Sequence, residues 1–237
     1  MSHAFEITKE FEYAASPAQI WDAVATGPGI DGWFMGHSEV EPKEGGAIRF
    51  TLGEFTSVGT ITAWQPRARF TYSGDGMTFD YVLEQTAGGR TLLRMTQSGM
   101  LGDNWEAEYE ALEKGWNLYL HTIDEYTTHF PGRTPATIDA MSAQAENADR
   151  AWEILTAALG TGTTPRVGDR THLPVADVDG VIDYVEPLAA IGIRTDDGLY
   201  RFSGRFGFMG IGHHIFADVD QAVVRSSWQT WLTERYA

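Results

Sequence analysis

The chain contains no cysteine. Disulfides, thiol nucleophiles and cysteine-ligated zinc or iron–sulfur centres are therefore excluded. Basic residues are scarce as well: 17 Lys and Arg stand against 33 Asp and Glu, a net charge of −16. A field of that sign repels phosphate backbones and anionic lipid surfaces, so neither nucleic acid nor membrane is an expected partner. It favours solubility, and it suits a basic protein partner. No stretch approaches the roughly 18 apolar residues of a membrane span. The opening MSHAFEITKEFEY carries no apolar run of the secretory type. The expectation is a cytoplasmic protein.

Aromatic residues are plentiful, with 8 Trp, 9 Tyr and 12 Phe among 237 residues. Such rings build cores and line apolar pockets. Their spacing gives the elements. In FEITKEFEY, residues 5–13, Phe5, Ile7, Phe11 and Tyr13 share one face with Lys9, while Glu6, Thr8, Glu10 and Glu12 share the other. That alternation reads as a half-buried strand. SPAQIWDAV follows, with Ser16 as N-cap and Pro17 at the first helical position. GPGIDGWFMG closes that helix and opens a short second one. From PKEGGAIRFTL onward the pattern is strands and turns, and AGG at 87–89 reads as a hairpin turn. The period then changes. Trp105, Tyr109, Leu112, Trp116, Tyr119 or Leu120, and Ile123 recur at steps of three and four, which predicts a long amphipathic helix. PGRTP, residues 131–135, ends it.

The second half repeats the order. GVIDYVEP at 180–187 echoes GTITAWQP at 59–66, and PRVGDRTHL at 165–173 echoes PKEGGAIRF at 42–50. Trp152 in a helical pattern matches Trp21, and QAVVRSSWQTWL lies over YEALEKGWNLYL with Trp228 on Trp116. Segments in one order at nearly constant offset point to one folding unit used twice, the second copy shortened. The expected division is a domain over 1–130, a linker over 131–136 and a shorter domain over 137–237.

The segments SPAQIWDAVATGPGIDGWF, EGGAIRF, GTITAWQPRARFTYS and GRTLLRMTQSG, with the Trp-rich helix after them, resemble the SRPBCC superfamily, also called START-like or helix-grip proteins. Within it they are most similar to the branch of the Hsp90 ATPase activator homologues. The resemblance implies an α+β fold in which a curved antiparallel sheet grips a long C-terminal helix around a cavity. The second half departs from the branch, whose members usually end after one copy. The superfamily includes lipid carriers, hormone receptors, polyketide aromatase/cyclases and co-chaperones, so fold leaves function open.

The residues expected to face the space between sheet and helix are Trp33, Phe50, Phe70, Tyr72, Phe79, Tyr81, Met95, Trp105, Tyr109 and Trp116. They read either as plain core or as walls of a pocket for a small hydrophobic or aromatic ligand, oriented by Tyr hydroxyls and indole N–H groups. Lys9 and Gln97 are the polar residues expected to intrude. His213 and His214 are adjacent in a predicted strand and point to opposite faces, one of them exposed. His121 and Glu125 stand at i and i+4, short of a third metal ligand. Asp103, Glu106, Glu110 and Glu113 read as a solvated, dipole-favoured helix start. GRFGFMGIGHH lacks the spacing of a dinucleotide loop and reads as a flexible loop or lid. No serine stands in a nucleophile elbow. No metal and no cofactor is expected. The leading expectation is a non-catalytic binder of a small hydrophobic molecule. The alternatives are an aromatase/cyclase-like enzyme, with Tyr72 paired to Tyr109 or Arg94, and a module docking a basic or chaperone partner.

Overall fold

The computed structural model describes residues 2–205 and 207–236. Contacts divide the chain into two compact units, Met1–Thr134 and Pro135–Ala237. In the first, the alternation of residues 5–13 becomes strand β1 (His3–Tyr13), with Phe5, Ile7 and Tyr13 buried and Glu6, Glu10 and Glu12 exposed. Ser16 then starts helix α1 (Pro17–Ala25) through a capping box: its hydroxyl accepts from the Gln19 backbone, and the Gln19 side chain accepts from the Ser16 backbone. A short helix α2 (Gly27–Asp31) leads into β2 (His37–Val40), β3 (Ala47–Leu52), β4 (Phe55–Gln65), β5 (Arg69–Gly74), β6 (Met77–Gln85) and β7 (Thr91–Leu101). All neighbours are antiparallel, in the order β1-β7-β6-β5-β4-β3-β2. The long helix α3 (Trp105–His129) packs on β1 and β7. Its burial begins at Trp116, so Trp105, Tyr109 and Leu112 in the first turns are only half-buried. The Tyr13 hydroxyl donates to the Leu120 carbonyl at 3.0 Å and ties helix to sheet.

The second unit comprises β8 (Ala136–Met141), α4 (Ala148–Ala158), β9 (Arg170–Leu173), β10 (Val178–Glu186), β11 (Ala190–Arg194), β12 (Gly198–Arg205), β13 (Phe208–Ile215) and α5 (Gln221–Arg235). Its sheet runs β8-β13-β12-β11-β10-β9, the first sheet's order with one strand fewer. Strand β8 begins at Ala136, inside the stretch that the sequence reads as a linker. The echo between the halves is a backbone fact. The β4–β5 register shifts between Ile61 and Ala63, and the β10–β11 register shifts between Ile182 and Tyr184, 121 positions on in each case. Arg67 and Leu188, also 121 apart, both hold positive φ (67° and 64°). Each follows a proline in a turn closed from Ala68 to Gln65 or from Ala189 to Glu186. The fold is thus α+β and helix-grip, in tandem, with a shortened second copy.

Two local expectations are corrected. GRFGFMGIGHH is neither loop nor lid: its described residues belong to the β12–β13 hairpin, and Phe206 lies outside the described residues. Met209, Ile211, His213 and Ile215 alternate inward, while Gly210 and Gly212 occupy the other face and hide the period-two signal. His213 and His214 are both buried, at 0% and 2% exposure, so neither face of β13 is open there.

Candidate functional site

In the first unit a partly open cavity of about 250 Å³ is walled by α2, the link that follows it, strands β3 to β6 and Trp116 of α3. Six of the ten residues expected from the sequence line it: Trp33, Phe50, Tyr72, Phe79, Tyr81 and Trp116. Four do not. Phe70 and Met95 are fully buried in the core, where Phe70 packs edge-on to Trp64 (5.5 Å) and Trp21 (6.5 Å). Trp105 stacks on His3 at 5.2 Å, and Tyr109 is half-buried away from the cavity on the same early turns of α3.

The sequence reading missed Phe34, which faces Phe50 at 5.4 Å, Tyr119 at 4.6 Å and Trp116 at 6.4 Å. It also missed the aliphatic walls of Val24, Ile30, Ile48 and Met77. The signal for Phe34 was its place beside Trp33 in GWF. α2 is pinned at its last residue: buried Asp31 accepts from the Ser38 backbone N–H at 2.7 Å and from His37 Nδ1 at 2.7 Å. Burial raises the Asp31 carboxyl above its ordinary range, against the lowering effect of those two partners. This clasp joins α2 to β2 and so sets two neighbouring walls.

The polar content of the cavity differs from expectation. The indole N–H groups serve the fold: Trp33 Nε1 donates to the Ala23 carbonyl (2.9 Å), and Trp116 Nε1 to Gln97 Oε1 (2.6 Å). Gln97 is buried behind Trp116 and does not line the cavity. Lys9 turns to Glu113 at 3.0 Å and also stays out. Tyr72 pairs with neither Tyr109 nor Arg94. Arg94 is held by Glu10 at 2.7 Å, and the Tyr72 hydroxyl hydrogen-bonds that of Tyr81. Burial pushes both phenols well above their ordinary range, so both stay protonated at neutral pH. With Tyr81 donating to Tyr72, the Tyr72 proton is left to meet an acceptor in the cavity. Ser38 adds a hydroxyl to the wall. At the exposed end stand Phe55, Ser57 and Asp75, with the Ser57 hydroxyl donating to Asp75. Among the described residues, Asp75 is the one carboxylate on the lining, and no Lys, Arg or His joins it there.

Elsewhere on α3, Glu125 stands between His121 (3.8 Å) and His129 (3.6 Å). The acidic start of the helix is solvated, and Glu110 is paired to Lys114 at 2.8 Å, which lowers its pKa.

A sheet gripping a helix over an aromatic cavity defines a helix-grip protein of the SRPBCC superfamily. Residues 14–128 match the family described as Activator of Hsp90 ATPase homolog 1-like protein. No curated protein sequence matches the chain. Among solved structures, the chain is similar to the Aha1 dimer from Colwellia psychrerythraea (19% identity, 52% of this chain and 95% of that one, TM-score 0.45). It is also similar to CalU16 from Micromonospora echinospora (23% identity, 54% and 78%, TM-score 0.44). A third, DynU16, a putative protein in the dynemicin biosynthetic locus, aligns over 96% of this chain and 95% of its own at 15% identity (TM-score 0.45).

Proposed function

We propose that the first unit binds a small, uncharged, ring-bearing molecule in this cavity. The observation that carries the reading is the lining: aromatic and aliphatic walls, a neutral pair of phenols within, and no cationic side chain among the described residues. An anion would find nothing to pair with there, and a desolvated charge is costly. The volume suits one or two fused rings, since a dry cavity of about 150 Å³ already takes up benzene. A carbonyl or ether oxygen on the ligand would accept from Tyr72.

The test is a titration of the full chain with 2-ethoxynaphthalene, followed by tryptophan fluorescence. Saturable binding is expected. Met77→Trp, which fills the cavity from its wall, should abolish it. Tyr72→Phe should weaken it about 3- to 10-fold, the worth of one hydrogen bond. Equal binding by the wild type and Met77→Trp would overturn the reading. The hydroxyl pair also favours a second reading, an aromatase/cyclase-like reaction with Tyr72 as proton donor. In that case Tyr72→Phe would retain binding of a polyketide-like substrate and lose its turnover.

A further inference from the structure

The tandem repeat locates a second cavity. In the first unit Tyr72 pairs with Phe79 across β5 and β6; 121 positions on, Ile193 pairs with Tyr200 across β11 and β12. Phe79 packs on Trp116 of α3 at 6.2 Å, and Tyr200 packs on Trp228 of α5 at 6.1 Å. A cavity of about 670 Å³ opens there in the second unit. Val178, Asp196, Tyr200 and Trp228 line it, standing where Ser57, Asp75, Phe79 and Trp116 line the first cavity.

The two copies differ in where they keep a hydroxyl. The positions of Tyr72 and Tyr81 hold Ile193 and Phe202, both fully buried in the second core. The position of Phe79 holds a tyrosine instead. Tyr200 is only 4% exposed, yet its hydroxyl has no hydrogen-bond partner among the described residues and is not sealed off by its neighbours. A Cβ on Gly198 would sit 2.8 Å from Tyr200 Cε2 and 3.4 Å from Cζ, so the hydroxyl-bearing end of the ring lies at the β11–β12 turn, beside Asp197 on the lining. Burial first, then the Asp197 charge, push this phenol up to about 12, so it remains a donor at neutral pH. The other two hydroxyls on the lining are engaged by the backbone. Ser227 Oγ donates to the Val223 carbonyl at 3.0 Å, and Thr195 Oγ1 accepts from the Asp197 N–H at 3.3 Å. A buried hydroxyl without a partner is rare in native structures, and this one calls for an acceptor from the cavity side.

The rest of the lining says what carries that acceptor. The walls are mostly aliphatic, with Val175, Val178, Ile215, Val219, Val223 and Val224 among them. Among the described residues, the charged side chains on the lining are all carboxylates, which oppose an anionic acceptor. We infer that the second unit's cavity binds an uncharged aliphatic carbonyl compound, its oxygen accepting from Tyr200 Oη and its chain lying along the valine walls. The first cavity, walled by rings, selects differently.

The test is a titration of the full chain with 2-decanone, carbon-13 labelled at the carbonyl and followed by infrared difference spectroscopy, with decanoate as the matched anion. Saturable uptake is expected, with the bound carbonyl stretch lowered by the Tyr200 hydrogen bond. Tyr200→Phe keeps the ring on Trp228 and installs the residue of the first copy. It should weaken the ketone about 3- to 10-fold and abolish the lowered stretch. Val223→Trp, at a position 60% exposed, should block the cavity without touching the core. Met77→Trp, which fills the first cavity, should change nothing. Decanoate should bind at least about 10-fold more weakly than the ketone. Uptake kept in Val223→Trp and lost in Met77→Trp would put the ketone in the first cavity, overturning this inference and leaving the first site standing. Absence of uptake, uptake indifferent to Val223→Trp, equal binding of decanoate, or a stretch that Tyr200→Phe leaves unchanged would also overturn it.

Discussion

His213 shows what one residue contributes. It stands at 0% exposure with aromatic rings of Tyr200, Phe202 and Trp228 around it. Burial, then the neighbouring charges of His214 and Arg201, hold its pKa well below the usual histidine range. The native state therefore refuses a proton that the unfolded chain accepts below about pH 6.5. Its stabilising effect is full above that value. It is lost as pH falls toward the folded pKa, at up to about 1.4 kcal/mol per pH unit. The urea midpoint should fall between pH 7 and pH 5, and His213→Gln, which keeps an acceptor but does not titrate, should flatten that slope. An unchanged slope in the variant would assign the pH dependence elsewhere. At the same scale, Trp116 and Gln97 show how a cavity wall is fixed from behind. Gln97→Leu would leave the Trp116 N–H buried without its acceptor and cost about 1–3 kcal/mol.

At the scale of the element, GTITAWQP and GVIDYVEP each fold as a strand with a bulge at the fourth residue, Thr62 or Asp183, and a turn at the proline. Their opening glycines are there because neighbouring strands press on them. A Cβ on Gly180 would sit 2.6 Å from Ile193 Cγ2 and 3.0 Å from the Arg194 carbonyl oxygen, and one on Gly59 would sit 3.0 Å from the Ser73 carbonyl oxygen. Gly180→Ala and Gly59→Ala should each lower stability by about 1–3 kcal/mol, with the former worse, as read by urea unfolding. Strict alternation and the three-and-four spacing make most strands and the three long helices legible in the amino-acid sequence alone. β8 is not legible there, because ATIDAM is short and only Ile138 in it is fully buried. The β12–β13 hairpin is masked by its glycines. The cavity is legible through its aromatic strand positions, such as Tyr72, Phe79 and Tyr81. Periodicity misplaces Trp105 and Tyr109, since a helical stripe says which face is apolar but not where along the helix the sheet ends. The engagement of the Trp33 and Trp116 N–H groups is a tertiary matter that no pattern carries.

At the scale of the whole molecule, the chain carries −16 and, among the described residues, has no helix long and apolar enough to cross a membrane. Its two units each have their own sheet, helix and cavity, and the cavities differ in chemistry: the first holds a neutral pair of phenols and one carboxylate, Asp75, and the second is lined by three carboxylates, Asp179, Asp196 and Asp197. The central claim is that the first cavity is a ligand site and not slack in a core. The most direct measurement is native mass spectrometry of the chain purified from its own cells, beside Met77→Trp, each run gently, then denatured, then with 2-ethoxynaphthalene added. The account predicts a discrete added mass on the wild type that is lost on denaturation and absent from the variant, and uptake of the probe by the stripped wild type alone. A bare wild-type mass together with no uptake of the probe would contradict it.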